Sequence, residues 1–187
     1  MNAADIGAKQ PLSRRRLLQQ GLLAGSAGMV AGLGTTSVIA QSAPLADTLP
    51  LIAWPALTLV DGSSLDVRAW QDTAVVVVFW ATWCGFCRRH NAHLEQLHQA
   101  TLDRRLRVLG VCVDADRDAV RRYAEANGLH FPMVAGDVGL RAQFTTRRMV
   151  PMTGLVDRRG RRVQVIPGEM SRDDVMALAT LAAPART

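Results

Sequence analysis

The run Val75-Val76-Val77-Val78-Phe79-Trp80 constrains the fold more than any other part of this chain. Six consecutive apolar residues, four of them β-branched, cannot alternate between a wet and a dry face, so a strand made of them needs cover on both sides. The run therefore predicts the central strand of a layered α/β domain. It leads through Ala81 and Thr82 into Trp83-Cys84-Gly85-Phe86-Cys87, and then into a helical pattern marked by Leu94 and Leu97. At 187 residues and 49% apolar, the chain can bury one ordinary core and carry an N-terminal extension besides.

The remaining elements are read outward from that strand. Leu57 to Val60, Asp61-Gly62 and Leu65 to Val67 predict an N-terminal β-hairpin with an Asp-Gly turn. Leu106 to Val113 is a second buried strand, Asp116 caps a helix running to Asn127, and Gly128 stands where that helix stops. Phe131 to Val134 is a third short strand, and a short helix is expected near Val138 to Phe144. Strands near Thr153 to Val156 and Arg162 to Ile166 flank Asp157-Arg158-Arg159-Gly160, and Ser171 with Asp174 forms a capping box for a last helix to about Leu181. This order implies a mixed central sheet with helices on both faces.

Three cysteines are too few for a disulfide scaffold and lack the second Cys/His pair of a structural zinc site. Cys84 and Cys87, spaced by two residues at a strand-to-helix junction, suit redox chemistry instead. The first sulfur meets the N-H groups and dipole of the helix N-terminus, which stabilise a thiolate, so Cys84 is the expected nucleophile. Cys87, one turn deeper, is the expected resolving thiol. Arg88, not His, follows Cys87, so the haem-attachment pattern is absent. Cys112, in mid-strand, reads as an inert buried thiol. His90, His93 and His98 lack the i, i+4 spacing of helical metal pairs, and no metal or cofactor is expected.

The run Phe79-Trp80-Ala81-Thr82-Trp83-Cys84-Gly85-Phe86-Cys87 resembles the active-site segment of the TlpA/ResA-type thioredoxin-like disulfide oxidoreductases. The resemblance extends over nearly all of residues 50 to 181, through Gly128-Leu129-His130-Phe131-Pro132 and Val150-Pro151-Met152-Thr153. It implies a thioredoxin-like fold, a cis-proline at Pro151 beside the cysteines, and a backbone at Val150 that pairs with the substrate. Trp83 is expected over the Cys84 sulfur, restricting access. There are departures: Phe86 stands where the family usually has Pro, His90 where the reductase branch has Glu, and Val78 where thioredoxin has a buried Asp. His90 is either a proton-transfer partner of Cys87 or a core histidine hydrogen-bonded to backbone.

The first forty residues read as an address. Ser13-Arg14-Arg15-Arg16-Leu17-Leu18-Gln19 precedes a Gly-rich apolar stretch to Ala40, the layout of a twin-arginine export signal. Domain boundaries follow: an export signal over 1–40, cut after about Ala40 or retained as a membrane anchor, a linker over 41–50 and a thioredoxin-like domain over 51–187. Of the formal net charge of +6, half belongs to that leader. The dispersed remainder is no nucleic-acid footprint. Arg147, Arg148, Arg158, Arg159, Arg161 and Arg162 form either a solvated face or a docking surface for an acidic partner.

The expected function is a monomeric periplasmic thiol–disulfide oxidoreductase that reduces disulfides in exported proteins and is re-reduced by a membrane thiol–disulfide electron carrier. By resemblance its substrates are cytochrome c or metal-site maturation proteins. A disulfide-forming oxidase is the alternative, favoured by Phe86 and Val150 and opposed by the lack of an inserted helical domain. A thiol peroxidase, suggested by Thr82 and Cys84, has its spacing off by one residue; a copper chaperone would use Cys84, Cys87 and a histidine.

Overall fold

The computed structural model describes residues 48–136 and 139–183. The export signal expected over 1–40 and most of the linker expected over 41–50 lie outside the described residues. The main sheet has five strands: β3 (Ala74–Trp80), β4 (Leu106–Cys112), β5 (Met133–Ala135), β6 (Met152–Val156) and β7 (Arg162–Pro167). The two strands numbered before them, β1 (Leu57–Thr58) and β2 (Ser64–Leu65), form a separate antiparallel pair. The spatial order is β5-β4-β3-β6-β7, with β3, β4 and β5 parallel and β6 and β7 antiparallel to their neighbours. The apolar run is thus the middle strand, and every residue of β3 is buried.

Strand alternation divides the core in two. Val76, Val78 and Trp80 face a cluster that draws on α1 (Gly85–Ala100), α2 (Arg117–Ala126) and α3 (Arg172–Ala177). Val75, Val77 and Phe79 face the other way, onto Ile52, Leu57, Leu140 and Phe144, with Trp54, Val67 and Trp70 packed at the margin. The second face is therefore covered by the β1–β2 pair and by 3-10 turns at Val67–Trp70 and Arg141–Gln143. Among the described residues all three α-helices belong to the first face, and the helical cover expected on the second face is made of 3-10 turns.

Several local expectations are met with named contacts. Gly62 turns the hairpin at φ +90°, Asp116 accepts from Ala119 N–H to cap α2, and Ser171 accepts from Asp174 N–H to cap α3. Others shift. Val67 is not strand, because the Asp66 carboxylate accepts from Arg68 N–H and starts the 3-10 turn there. Near Val138 to Phe144 only the turn Arg141–Gln143 is helical among the described residues.

Candidate active site

Sheet register explains why three distant segments meet. Phe79 lies opposite Met152 in the antiparallel β3–β6 pair, so the chain entering β6, Val150-Pro151, lies beside the chain leaving β3. Trp80 lies opposite Cys112 in the parallel β3–β4 pair, so Asp114, just past β4, reaches the same corner. Between them the chain turns into α1, with Cys84 as its N-cap residue at φ −91° and ψ 108°.

Cys84 and Cys87 are joined by a disulfide, with Cα atoms 5.2 Å apart. Cys84 Sγ accepts from Cys87 N–H at 3.1 Å, so the sulfur sits on the N-terminal amides of α1. No acidic side chain occupies the first turn to oppose that field. Cys84 is 7% exposed and Cys87 is fully buried. The peptide bond Val150-Pro151 is cis, and the Val150 carbonyl oxygen lies 3.9 Å from Cys84 Sγ. Trp83 is 72% exposed. Its indole N–H donates to Asp114 Oδ1 at 3.0 Å, so the ring is held by the end of β4.

His90 lies on the buried face of α1, one turn beyond Cys87, but its hydrogen bonds go elsewhere. Met170 N–H donates to Nδ1 at 3.2 Å, and Nε2 lies 3.0 Å from Thr153 Oγ1. A backbone N–H can only donate, so Nδ1 holds the lone pair and Nε2–H donates to the hydroxyl. Burial, and after it the neighbouring His93, lowers the imidazole pKa to about 4. His90 is therefore neutral at pH 7 and pins α1 to β6.

Asp114 is the site residue that reading the sequence missed. Its Oδ2 accepts from Thr82 N–H and Thr82 Oγ1, both at 2.8 Å, and from Cys112 Sγ at 3.4 Å. Burial alone would raise this carboxyl, but those donors and the Trp83 indole outweigh it and hold its pKa below the usual range. Cys112 is fully buried, and burial together with the adjacent carboxylate pushes its thiol up to about 12. The only available signal for Asp114 was its place, an acid at the C-terminal end of a strand parallel to the central one.

A slightly exposed sulfur at a helix N-terminus, closed onto a fully buried partner beside a cis-proline, defines a thiol–disulfide oxidoreductase of thioredoxin-like fold. The comparisons with known proteins agree. The AhpC/TSA family profile matches residues 47–161, and the chain belongs to that family. Similar curated proteins are the thiol-disulfide oxidoreductases ResA of Geobacillus kaustophilus and Halalkalibacterium halodurans. The first is 28% identical over 119 residues, covering 64% of this chain and 68% of the relative. The second is 29% identical over 126 residues, covering 67% and 71%. Among solved structures, a thioredoxin-family thiol:disulfide interchange protein from Chlorobium tepidum superposes with a TM-score of 0.66 at 22% identity, over 72% of this chain and 96% of that one. A secreted disulfide oxidoreductase of Mycobacterium tuberculosis, described as homologous to E. coli DsbE, gives 0.59 at 21% identity, over 67% and 94%.

Proposed function

We propose that this protein is an exported reductase of protein disulfides. The observation that carries the reading is the asymmetry of the pair: Cys84, at the helix N-terminus, keeps 7% of its surface exposed while Cys87 is fully buried. In the dithiol state the Cys84 thiolate attacks a substrate disulfide, forming a mixed disulfide and releasing one substrate thiolate. Cys87 then loses its proton and attacks Cys84 Sγ, releasing the second substrate thiol and closing the Cys84–Cys87 bond. Two electrons pass to the substrate, and a membrane thiol–disulfide carrier returns them.

Val150 and Pro151 would border the substrate backbone, and Trp83 would frame its approach. His90 acts by position, since its lone pair is occupied by Met170 N–H. Residues 1–40 would direct export to the periplasm, with a cut after about Ala40 or retention as an anchor, and residues 51–187 would work there as a monomer. Among the described residues no helix is long and apolar enough to cross a membrane. Cytochrome c or metal-site maturation proteins are the substrates the family resemblance favours.

The test is the equilibrium potential of the Cys84–Cys87 couple, with Cys87→Ser used to trap mixed disulfides. A reductase should fall below about −200 mV and trap exported proteins from the reduced state. A potential near about −120 mV would instead assign a disulfide-forming oxidase. Peroxide turnover faster than disulfide reduction would assign a thiol peroxidase.

A further inference from the structure

We infer that Arg88, Arg147 and Arg148 make the protein selective for disulfides flanked by acidic residues. The inference rests on the thiol–disulfide reading above. It starts from the surface around Cys84, where Trp83 is 72% exposed, Phe86 62% and Met149 45%. Single exposed apolar residues need no explanation, but three large ones around a reactive sulfur form a contact surface.

Three arginines without a carboxylate partner among the described residues stand beside it. Arg147 and Arg148 are exposed in the segment leading to Pro151. The Val150 carbonyl oxygen is 3.9 Å from Cys84 Sγ, and Arg148 is only two residues earlier, about 7 Å of extended chain. Arg141 Nη1 donates to the carbonyls of Arg147 at 2.9 Å and Met149 at 3.4 Å, which fixes that segment from beneath. Arg88, also exposed, stands one turn into α1, where its backbone N–H donates to the Cys84 carbonyl at 3.2 Å and its side chain lines a groove with Tyr123. None of these three guanidinium groups makes an ion pair among the described residues.

The other charged side chains near the sulfur are bonded within the protein. Arg89 stacks on the Phe86 ring at 5.0 Å and forms a two-pronged pair with Glu169. Asp114 is occupied by Thr82, Trp83 and Cys112, and the Asp116 carboxylate caps α2. What remains for a partner is a set of unpaired guanidinium groups beside an apolar contact surface, complementary to an acidic polypeptide. An anionic lipid surface also matches those charges, but it cannot deliver a disulfide to a sulfur that is 7% exposed and faces a backbone carbonyl.

The experiment uses the full chain, reduced beforehand, in single turnovers with three disulfide peptides that differ only in carrying Glu, Gln or Lys beside the cysteines. The Cys84/Cys87 dithiol is oxidised to the disulfide and the peptide disulfide is reduced to two thiols, so no other reductant enters. The Glu peptide should react about tenfold faster than the Lys peptide at roughly 20 mM salt, and the gap should close to within about threefold at roughly 500 mM. Rates for each protein are normalised to its Gln-peptide rate, which cancels any general loss of fold. In Arg147→Gln/Arg148→Gln the Glu-to-Lys ratio should fall toward one, and in Arg147→Glu/Arg148→Glu it should invert. Equal rates in the wild type, or a preference that survives in both variants, overturns the proposal. Failure to reduce any of the three peptides overturns the thiol–disulfide reading and this inference with it. Equal peptide rates, with co-sedimentation on phosphatidylglycerol vesicles that the Gln variant loses, overturns it in favour of a lipid surface.

Discussion

His90 is fully buried, yet it is a titratable group, and its two ring nitrogens are engaged by residues 63 and 80 positions away. An unfolded histidine titrates near 6.5 and this one near 4. Between those values the unfolded chain binds the extra proton, so the contribution to stability is complete above pH 6.5 and is lost as pH falls toward 4. The full swing is on the order of 3 kcal/mol. Denaturant titrations of the wild type should therefore lose stability from pH 7 to 4.5 more steeply than those of His90→Gln. The variant should be less stable at pH 7, because one of the two hydrogen bonds made by the buried ring is weakened. Its rate of mixed-disulfide resolution should stay within about twofold of wild type across pH 6 to 9, since the imidazole has no lone pair to offer Cys87. A resolution rate that drops tenfold and changes its pH profile, at unchanged stability, would restore proton transfer as the role of His90. Cys84 and Cys87 were legible in the sequence because their chemistry depends on local spacing at a strand-to-helix junction. The partners of His90 were not, because Thr153 and Met170 are brought to it only by the β3–β6 register and the return of the chain into α3.

At the level of elements, the approach to Pro151 is held by a stack that begins in β6. Gly154 sits opposite Val77 in the sheet, and the Phe144 ring occupies the space where a side chain at 154 would be, with Phe144 Cγ 3.1 Å from an ideal Cβ and two ring carbons nearer still. Phe144 meets Phe79 edge-on at 5.5 Å, and the Arg141 guanidinium lies 5.0 Å from the Phe79 ring on its way to the carbonyls of Arg147 and Met149. A methyl at 154 must push Phe144 into this packed group. Gly154→Ala should cost about 1–3 kcal/mol, the usual penalty for overfilling a core, as a lowered urea midpoint at unchanged slope. An unchanged midpoint would mean that the ring relocates without strain and that the stack does not support the segment before Pro151. The long elements were legible from their period: the run at Val75 to Trp80 and the Leu94/Leu97 stripe became β3 and α1. The short ones were not, since Asp66 turned Val67 away from the hairpin and Phe131-Pro132 delayed β5 to Met133. Arg141 gave no signal at all, because a single arginine in a short segment reads as surface until its carbonyl partners are known.

Across the whole molecule, charge is divided between the proposed export leader and the thioredoxin-like domain. Half of the net +6 resides in the leader, from Lys9, Arg14, Arg15 and Arg16 against Asp5. The other half is spread over a domain in which many arginines serve structure: Arg158 pairs with Asp72, which also contacts Arg105, and Arg162 donates to the carbonyls of Gln143 and Phe144. Composition alone could not separate those from Arg147 and Arg148, so the sequence left the basic neighbourhood as either a solvated face or a docking surface. In the leader the distinction can be drawn by chemistry, because lysine keeps the charge of arginine but not its planar fork of donors. Arg14→Lys/Arg15→Lys preserves the +3 of the leader and leaves the apolar stretch from Gly21 to Ala40 untouched. A route that reads charge and hydropathy would still export this variant, whereas a route that reads the two guanidinium groups would not. The expected outcome in a cell with an intact periplasm is retention of the variant in the cytoplasm, at full length and with Cys84 and Cys87 reduced in that compartment. Fractionation with thiol labelling reads both properties at once, and a variant found in the periplasm in the same amount and redox state as the wild type would assign export to a general secretory route.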